Sequence, residues 1–149
     1  MTDAQKKKIT ELLSARESNK EYDKNYWIPY EDYFDIQDNN IDFACETLGG
    51  IQVYKDVIEE LSEADDKAKV YVDVYGIEDG IIYSETLVVY SELSLDEVTK
   101  IFNKTPSAEP SDIGEYKKDT KRAFIINKKG QIESIEENGG LNVYYCWWD

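Results

Sequence analysis

The sequence predicts an α+β domain with a single antiparallel β-sheet of about five to six strands and two to three helices packed mainly on one face. Three observations predict it. Segments with helical spacing of apolar residues are interleaved with segments in which apolar and polar residues alternate. The strand-like runs are joined by turn-rich stretches of the kind that connect antiparallel neighbours. The 149 residues are enough for one domain with one core. The chain therefore divides into an N-terminal helix at 1–18, an irregular acidic and aromatic segment at 19–42 and an α+β core at 43–149, all within one domain, 1–149.

Residues 3–18 carry Ile9, Leu12 and Leu13 at helical spacing among polar residues, which predicts an amphipathic helix with a narrow apolar stripe. From Tyr22 to Asp42 the periodicity dissolves, and Pro29 disfavours helical backbone at Ile28. The stretch "YWIPYEDYFDIQDNNID", residues 26–42, is accordingly expected to be irregular and held by its own rings. "IQVYKDVIEELSEADD", 51–66, follows Gly49 and Gly50 and sets Val53, Val57, Ile58 and Leu61 on one helical face.

"KVYVDVYG" alternates Val70, Val72 and Val74 against Tyr71, Asp73 and Tyr75. With the branched and aromatic "IIYSETLVVY" beyond the turn-like "GIEDG", it predicts an antiparallel hairpin. "SLDEVTKIF" places Ser94 and Glu97 at capping-box spacing and Val98, Ile101 and Phe102 on the inward face of a short helix that ends before Pro106. Residues 104–122, with two prolines, a glycine and five bases, read as a basic surface loop. "AFIINKKGQIESIE" predicts two strands joined through "NKKG", and "LNVYYCWW" closes a three-strand meander.

Composition narrows the function. There are 32 acids, 17 bases and no histidine, a formal charge of -15. That charge disfavours direct nucleic-acid or anionic-membrane partners and points to a basic protein partner. Without histidine there is no Ser-His or Cys-His nucleophile arrangement, and neither phosphate-binding glycine motif occurs. The expectation is a protein that is not an enzyme and takes no cofactor. Cys45 and Cys146 lack metal-ligand spacing and read as buried free thiols. Asp38, Asn40 and Asp42 match the opening oxygen positions of a calcium loop, but its sixth position is Phe43 and its twelfth Gly49, so a polar turn is expected and no metal site. No run approaches the ~20 apolar residues of a membrane span, and the N-terminus has no secretion signal pattern, which predicts a cytoplasmic protein.

The charge is focused: residues 1–16 carry +2, 17–66 carry -12 and 67–149 carry -5. Within the acidic part, rings and carboxylates interleave. Aromatics anchor interfaces, and carboxylates speed encounter with a cationic target. The expected contact surface is Trp27, Tyr30 and Tyr33 as anchors, with Glu31, Asp32, Asp35, Asp38 and Asp42 supplying attraction. The final "YYCWWD" is aromatic on both faces, one expected in the core and the other free for packing or for contact.

The run "TLVVYSELSLDEVTKIFNKTPSAEPSDIGE", Thr86 to Glu115, resembles a strand-helix-loop unit of small bacterial domains of unknown function. The small acidic α+β build is similar to the immunity proteins of bacterial toxin systems. That resemblance implies an inhibitor that binds a cognate toxin with a basic active-site cleft, such as a nuclease. The same charge also suits a DNA mimic of phage or plasmid origin that blocks a defence enzyme, which requires carboxylates in two rows at phosphate-like spacing. A third reading is a structural domain that forms a homodimer through the aromatic final strand.

Overall fold

The computed structural model describes residues 1–46, 48–135 and 139–149. In chain order the elements are α1 (Asp3–Asn19), β1 (Asn25–Pro29), the one-turn α2 (Tyr30–Tyr33), β2 (Ile41–Phe43), α3 (Gln52–Ala64), β3 (Lys69–Asp73), β4 (Gly76–Glu78) and β5 (Ile81–Ser84). Then come β6 (Thr86–Ser91), α4 (Leu95–Asn103), β7 (Asp112–Glu115), β8 (Ala123–Ile126), β9 (Ile132–Ser134) and β10 (Asn142–Trp147).

The expected single antiparallel sheet of five to six strands is corrected here. The strands form a seven-stranded sheet, β7-β10-β6-β3-β1-β8-β9, and a separate three-stranded sheet, β2-β5-β4. Both are mixed, because β1 runs parallel to β8 and β2 parallel to β5 while the other pairs are antiparallel.

Three local causes account for the difference. Residues 19–42 are not irregular throughout, since β1 lies inside the large sheet with Tyr26, Trp27 and Ile28 all buried. A strand covered on both faces shows no alternation to read, and Pro29 stands at its last position, where it interrupts little. The predicted hairpin exists in one register from Lys69↔Tyr90 to Glu78↔Ile81, but its arms pass from one sheet into the other. At the crossing the Val74 N–H turns to the Tyr26 carbonyl, and the Ser84 hydroxyl donates to the Asp73 carbonyl. Finally, the predicted meander does not form: β8 and β9 pair at one edge, whereas β10 inserts between β6 and β7. β7 itself arises within the stretch expected to be a surface loop.

One face of the large sheet carries Tyr26, Ile28, Val70, Val72, Leu87, Val89, Tyr144 and Cys146. It shares its core with Ile9 and Leu13 of α1, Val57, Ile58 and Leu61 of α3, and Val98, Ile101 and Phe102 of α4. Ile41, Phe43 and Ile82 bring the small sheet into the same core. Both predicted features of α4 are present, the inward face and the Ser94–Glu97 capping box. The opposite face of the large sheet has its own cluster of Trp27, Val88, Tyr90 and Ala123, flanked by Tyr71, Tyr116, Leu141 and Val143. No helix contributes to that cluster among the described residues. Of the two thiols, Cys146 is buried, and burial pushes its pKa far up, but Cys45, expected buried, is exposed.

Candidate functional site

The fold redistributes the contact residues expected from the sequence. Trp27 and Tyr33 are 0% exposed, so neither offers ring surface to a partner. Trp27 stacks on Tyr71 at 5.6 Å on the second face of the large sheet. Tyr33 donates its hydroxyl to the carbonyls of Asp42 and Ile82 at 2.7 and 2.8 Å, pinning the small sheet. The expected role of these two rings as interface anchors is corrected by that burial. Glu31 and Asp35 are exposed, whereas Tyr30, Asp32 and Asp42 are half-buried.

Asp32 and Asp38 hold the N-terminus. The Asp32 carboxylate accepts from the Gln5 amide at 2.8 Å, and its carbonyl accepts from the Met1 amine at 2.7 Å. Asp38 is buried and accepts from Lys6 at 2.9 Å and the Asn40 N–H at 2.8 Å, with the Met1 amine 3.4 Å away. Lys6 also reaches the Asn40 amide oxygen at 3.1 Å, so two oxygens that resembled a calcium loop serve an ammonium. Burial opposes ionisation of Asp38, but the Asn40 N–H and Lys6 outweigh it and hold the carboxyl below its ordinary 3.8.

A lowered folded pKa adds stability above the unfolded value and loses it as pH falls through the folded one. Asp38→Ala is therefore expected to cost about 2 kcal/mol at pH 7. That deficit should shrink below the ordinary pKa of 3.8, as urea denaturation at pH 7 and pH 3 would show.

The second face of the large sheet ends in a cleft of about 1170 Å³. Register accounts for its floor, to which Asp73, Thr86, Trp147 and Asp112 of one cross-strand row and Tyr145 and Gly114 of the next contribute. Trp27, Asp73, Thr86, Trp147 and Asp112 are successive cross-strand partners on β1, β3, β6, β10 and β7 and so share a face. The adjoining row on the same face runs Tyr71, Val88, Tyr145, Gly114. Arg16 and Glu17 of α1, Tyr75 just before β4, Tyr83 of β5, and Tyr116 and Lys118 after β7 form the walls.

Two glycines let tyrosine rings lie along these walls. A Cβ on Gly114 would stand 3.1 Å from the Tyr145 ring, and one on Gly76 2.8 Å from the Tyr83 hydroxyl. Tyr145 then donates to Asp112 at 2.6 Å. Tyr75 packs on Tyr83 at 5.5 Å, and Tyr22 and Tyr75 remain 61% and 62% exposed at the rim.

Five carboxylates line the cleft (Glu17, Asp73, Glu85, Asp112, Glu115) against three bases (Arg16, Lys117, Lys118). None of the five is in an ion pair among the described residues. Asp73 stands apart. It is half-buried, being reachable through the cleft yet closely surrounded by protein, and that burial pushes its pKa up to about 6. The Asn25 amide, then Lys118 and Arg16, pull it the other way. The Tyr116 hydroxyl finds no hydrogen-bond partner among the described residues, and its pKa is driven far up by burial and by the Asp73 charge. Arg16 donates to the Tyr75 carbonyl at 2.5 Å, and its Nε is likewise unpartnered.

This arrangement stacks and accepts: rings for planar groups, carboxylates for donors. Among the described residues no group of three or more His, Cys, Asp or Glu is placed to hold a metal. No helix there is long and apolar enough to cross a membrane. Residue by residue the sequence carried signals for the cleft, namely a carboxylate within the valine-rich run "VYVDV" and a last strand aromatic on both faces.

Residues 4–131 match the Uncharacterized protein YfbO family. The chain belongs to the YfbO family. No curated protein and no solved structure matches it. The YfbO match contains Asp73 and all the cleft walls, whereas Tyr145 and Trp147 of the floor lie beyond it.

Proposed function

We propose that this YfbO-family protein is a non-enzymatic inhibitor that binds a basic protein. Its form is the immunity type, which neutralises a cognate toxin with a basic active-site cleft such as a nuclease. The observation that carries the proposal is the cleft, whose rings stand among five carboxylates with no ion-pair partner among the described residues. Its volume of about 1170 Å³ exceeds the roughly 300–1,000 Å³ typical of small-molecule pockets and suits an extended basic segment. The net charge of -15 steers such a partner from a distance, and buried rings then supply affinity.

The partner then docks in the cleft, with exposed Glu31 and Asp35 contributing only to the long-range field. The test is gel filtration of the protein with the product of its neighbouring gene. A complex is expected that weakens as salt rises and that Tyr75→Ala weakens at least about tenfold, since truncating an interface anchor costs 2 kcal/mol or more. Tyr75 is exposed, so its loss leaves folding intact. Absence of any complex with a toxin-like neighbour sinks the proposal, as does a complex indifferent to salt.

A further inference from the structure

Asp38, Asp65 and Asp73 each sit in confined surroundings, and the fold treats them differently. Asp38 receives Lys6, the Met1 amine and the Asn40 N–H. Asp65 receives the Ser91 hydroxyl at 2.7 Å, the Glu92 N–H at 2.8 Å and the Lys67 N–H at 3.0 Å. Both carboxyls are held below their ordinary value against the opposing effect of burial. Among the described residues Asp73 receives only the Asn25 amide, at 3.3 and 3.4 Å from its two oxygens. An ionised carboxylate offers about four acceptor positions, so most of its capacity is unused. Leaving a confined charge so poorly partnered is unfavourable, and the more distant Lys118 and Arg16 charges offset that only in part.

We propose that Asp73 is the base of an arginine pocket, in which the guanidinium of an arginine side chain projecting from the basic partner docks on this carboxylate at the floor of the cleft. The identity of the partner rests on the inhibitor proposal above; the pocket rests on the geometry around Asp73.

The groups facing Asp73 are consistent with that occupant. Across β1 stands Trp27, its cross-strand partner, with the Asn25 amide beside it. From α1 comes Arg16, whose guanidinium is turned to the Tyr75 carbonyl, and after β7 come Tyr116 and Lys118. Neither Arg16 nor Lys118 lies within 4.0 Å of the carboxylate, although both charges are felt there. An anionic ligand would meet the Asp73 charge on the floor. A guanidinium presents parallel donors that match both carboxylate oxygens, and it stacks on aromatic faces better than an ammonium does. Tyr145 and Trp147 provide such faces in the same cleft.

The probe is acetyl-Gly-Gly-Arg-Gly-amide titrated into the labelled full-length protein, read by NMR shifts of the Asn25 side-chain amide and the Trp147 indole N–H. Saturable shifts at both groups are expected. Replacing the arginine by isosteric, uncharged citrulline should weaken binding tenfold or more, and lysine several-fold. Asp73→Asn should match the citrulline loss, whereas Glu63→Gln, which removes an exposed charge on α3 outside the cleft, should change little. Equal binding of the arginine and citrulline peptides, shifts confined to other surfaces, no binding, or unchanged binding by Asp73→Asn each overturns the pocket. If the basic protein partner still binds and Tyr75→Ala weakens it while Asp73→Asn does not, the pocket fails and the inhibitor proposal stands. If the arginine peptide binds Asp73 but no basic protein does, the inhibitor proposal fails and the pocket stands.

Discussion

Trp148→Ala is expected to cost about 4 kcal/mol of stability, the usual range for truncating a buried tryptophan. For a chain of this size that corresponds to a melting temperature lower by roughly 10–15 °C. The indole is 4% exposed and packs at the junction of the small sheet, α3 and α4. Its ring lies 5.4 Å from Phe43 of the small sheet, 5.3 Å from Tyr54 of α3 and 6.0 Å from Phe102 of α4. Its Nε1–H donates to the Ala108 carbonyl at 3.2 Å, fastening the turn after α4.

The adjacent Trp147 points to the opposite face and lines the cleft half-buried, so Trp147→Ala should cost far less stability and should act on binding. Thermal denaturation of the two variants side by side tests the face assignment. If Trp147→Ala is the more destabilising, the two faces of β10 have been exchanged. The same strand bears on dimerisation: β10 is hydrogen-bonded to β6 on one side and β7 on the other, which leaves it no free edge for a second copy.

The pattern of success at the sequence level follows from what periodicity can report. α3 and α4 each bury one face, so Val57, Ile58 and Leu61, and Val98, Ile101 and Phe102, stand at helical spacing. β3 has the clean alternation of Val70 and Val72 against Tyr71 and Asp73, because its two faces meet different surroundings. β1 has no such contrast: Tyr26 and Ile28 enter the main core, Trp27 enters the second cluster, and all three are apolar. Parallel pairing of β1 with β8 is a long-range event that no local signal announces. β7 has four residues, one of them Gly114, and sits among prolines and bases.

The acidic segment misled for a different reason. Position along the chain does not reveal pairing: Asp32 is hydrogen-bonded to the Gln5 amide and lies 3.6 Å from Lys128, and Asp38 is paired with Lys6, so these two carboxylates do not belong to an open acidic surface. The cleft draws on α1, β3, the small sheet, β7 and β10, and only tertiary structure brings these together.

Asp73→Asn is expected to stabilise the free protein at pH 7.5 by about 1–2 kcal/mol while weakening arginine recognition about tenfold or more. Burial raises the folded pKa from its ordinary 3.8 to about 6, so between those values the folded chain holds a proton that the unfolded chain has released. Stability then falls as pH rises through that window and remains lower above it, the opposite of the Asp38 case. The asparagine mimics the protonated form and can still accept from the Asn25 amide. A shift of this size would be worth about 3 kcal/mol at about 1.4 kcal/mol per pH unit. Solvent reaching the side chain through the cleft screens it, which reduces the expected gain to the smaller figure. Urea denaturation of both proteins from pH 3.5 to 8 should give curves that coincide at the acid end and diverge between pH 4 and 6. A residue that weakens the fold and is required for recognition is held by function. If Asp73→Asn instead destabilises the protein at pH 7.5, the carboxylate is a structural clamp on Asn25, and the arginine pocket loses its foundation.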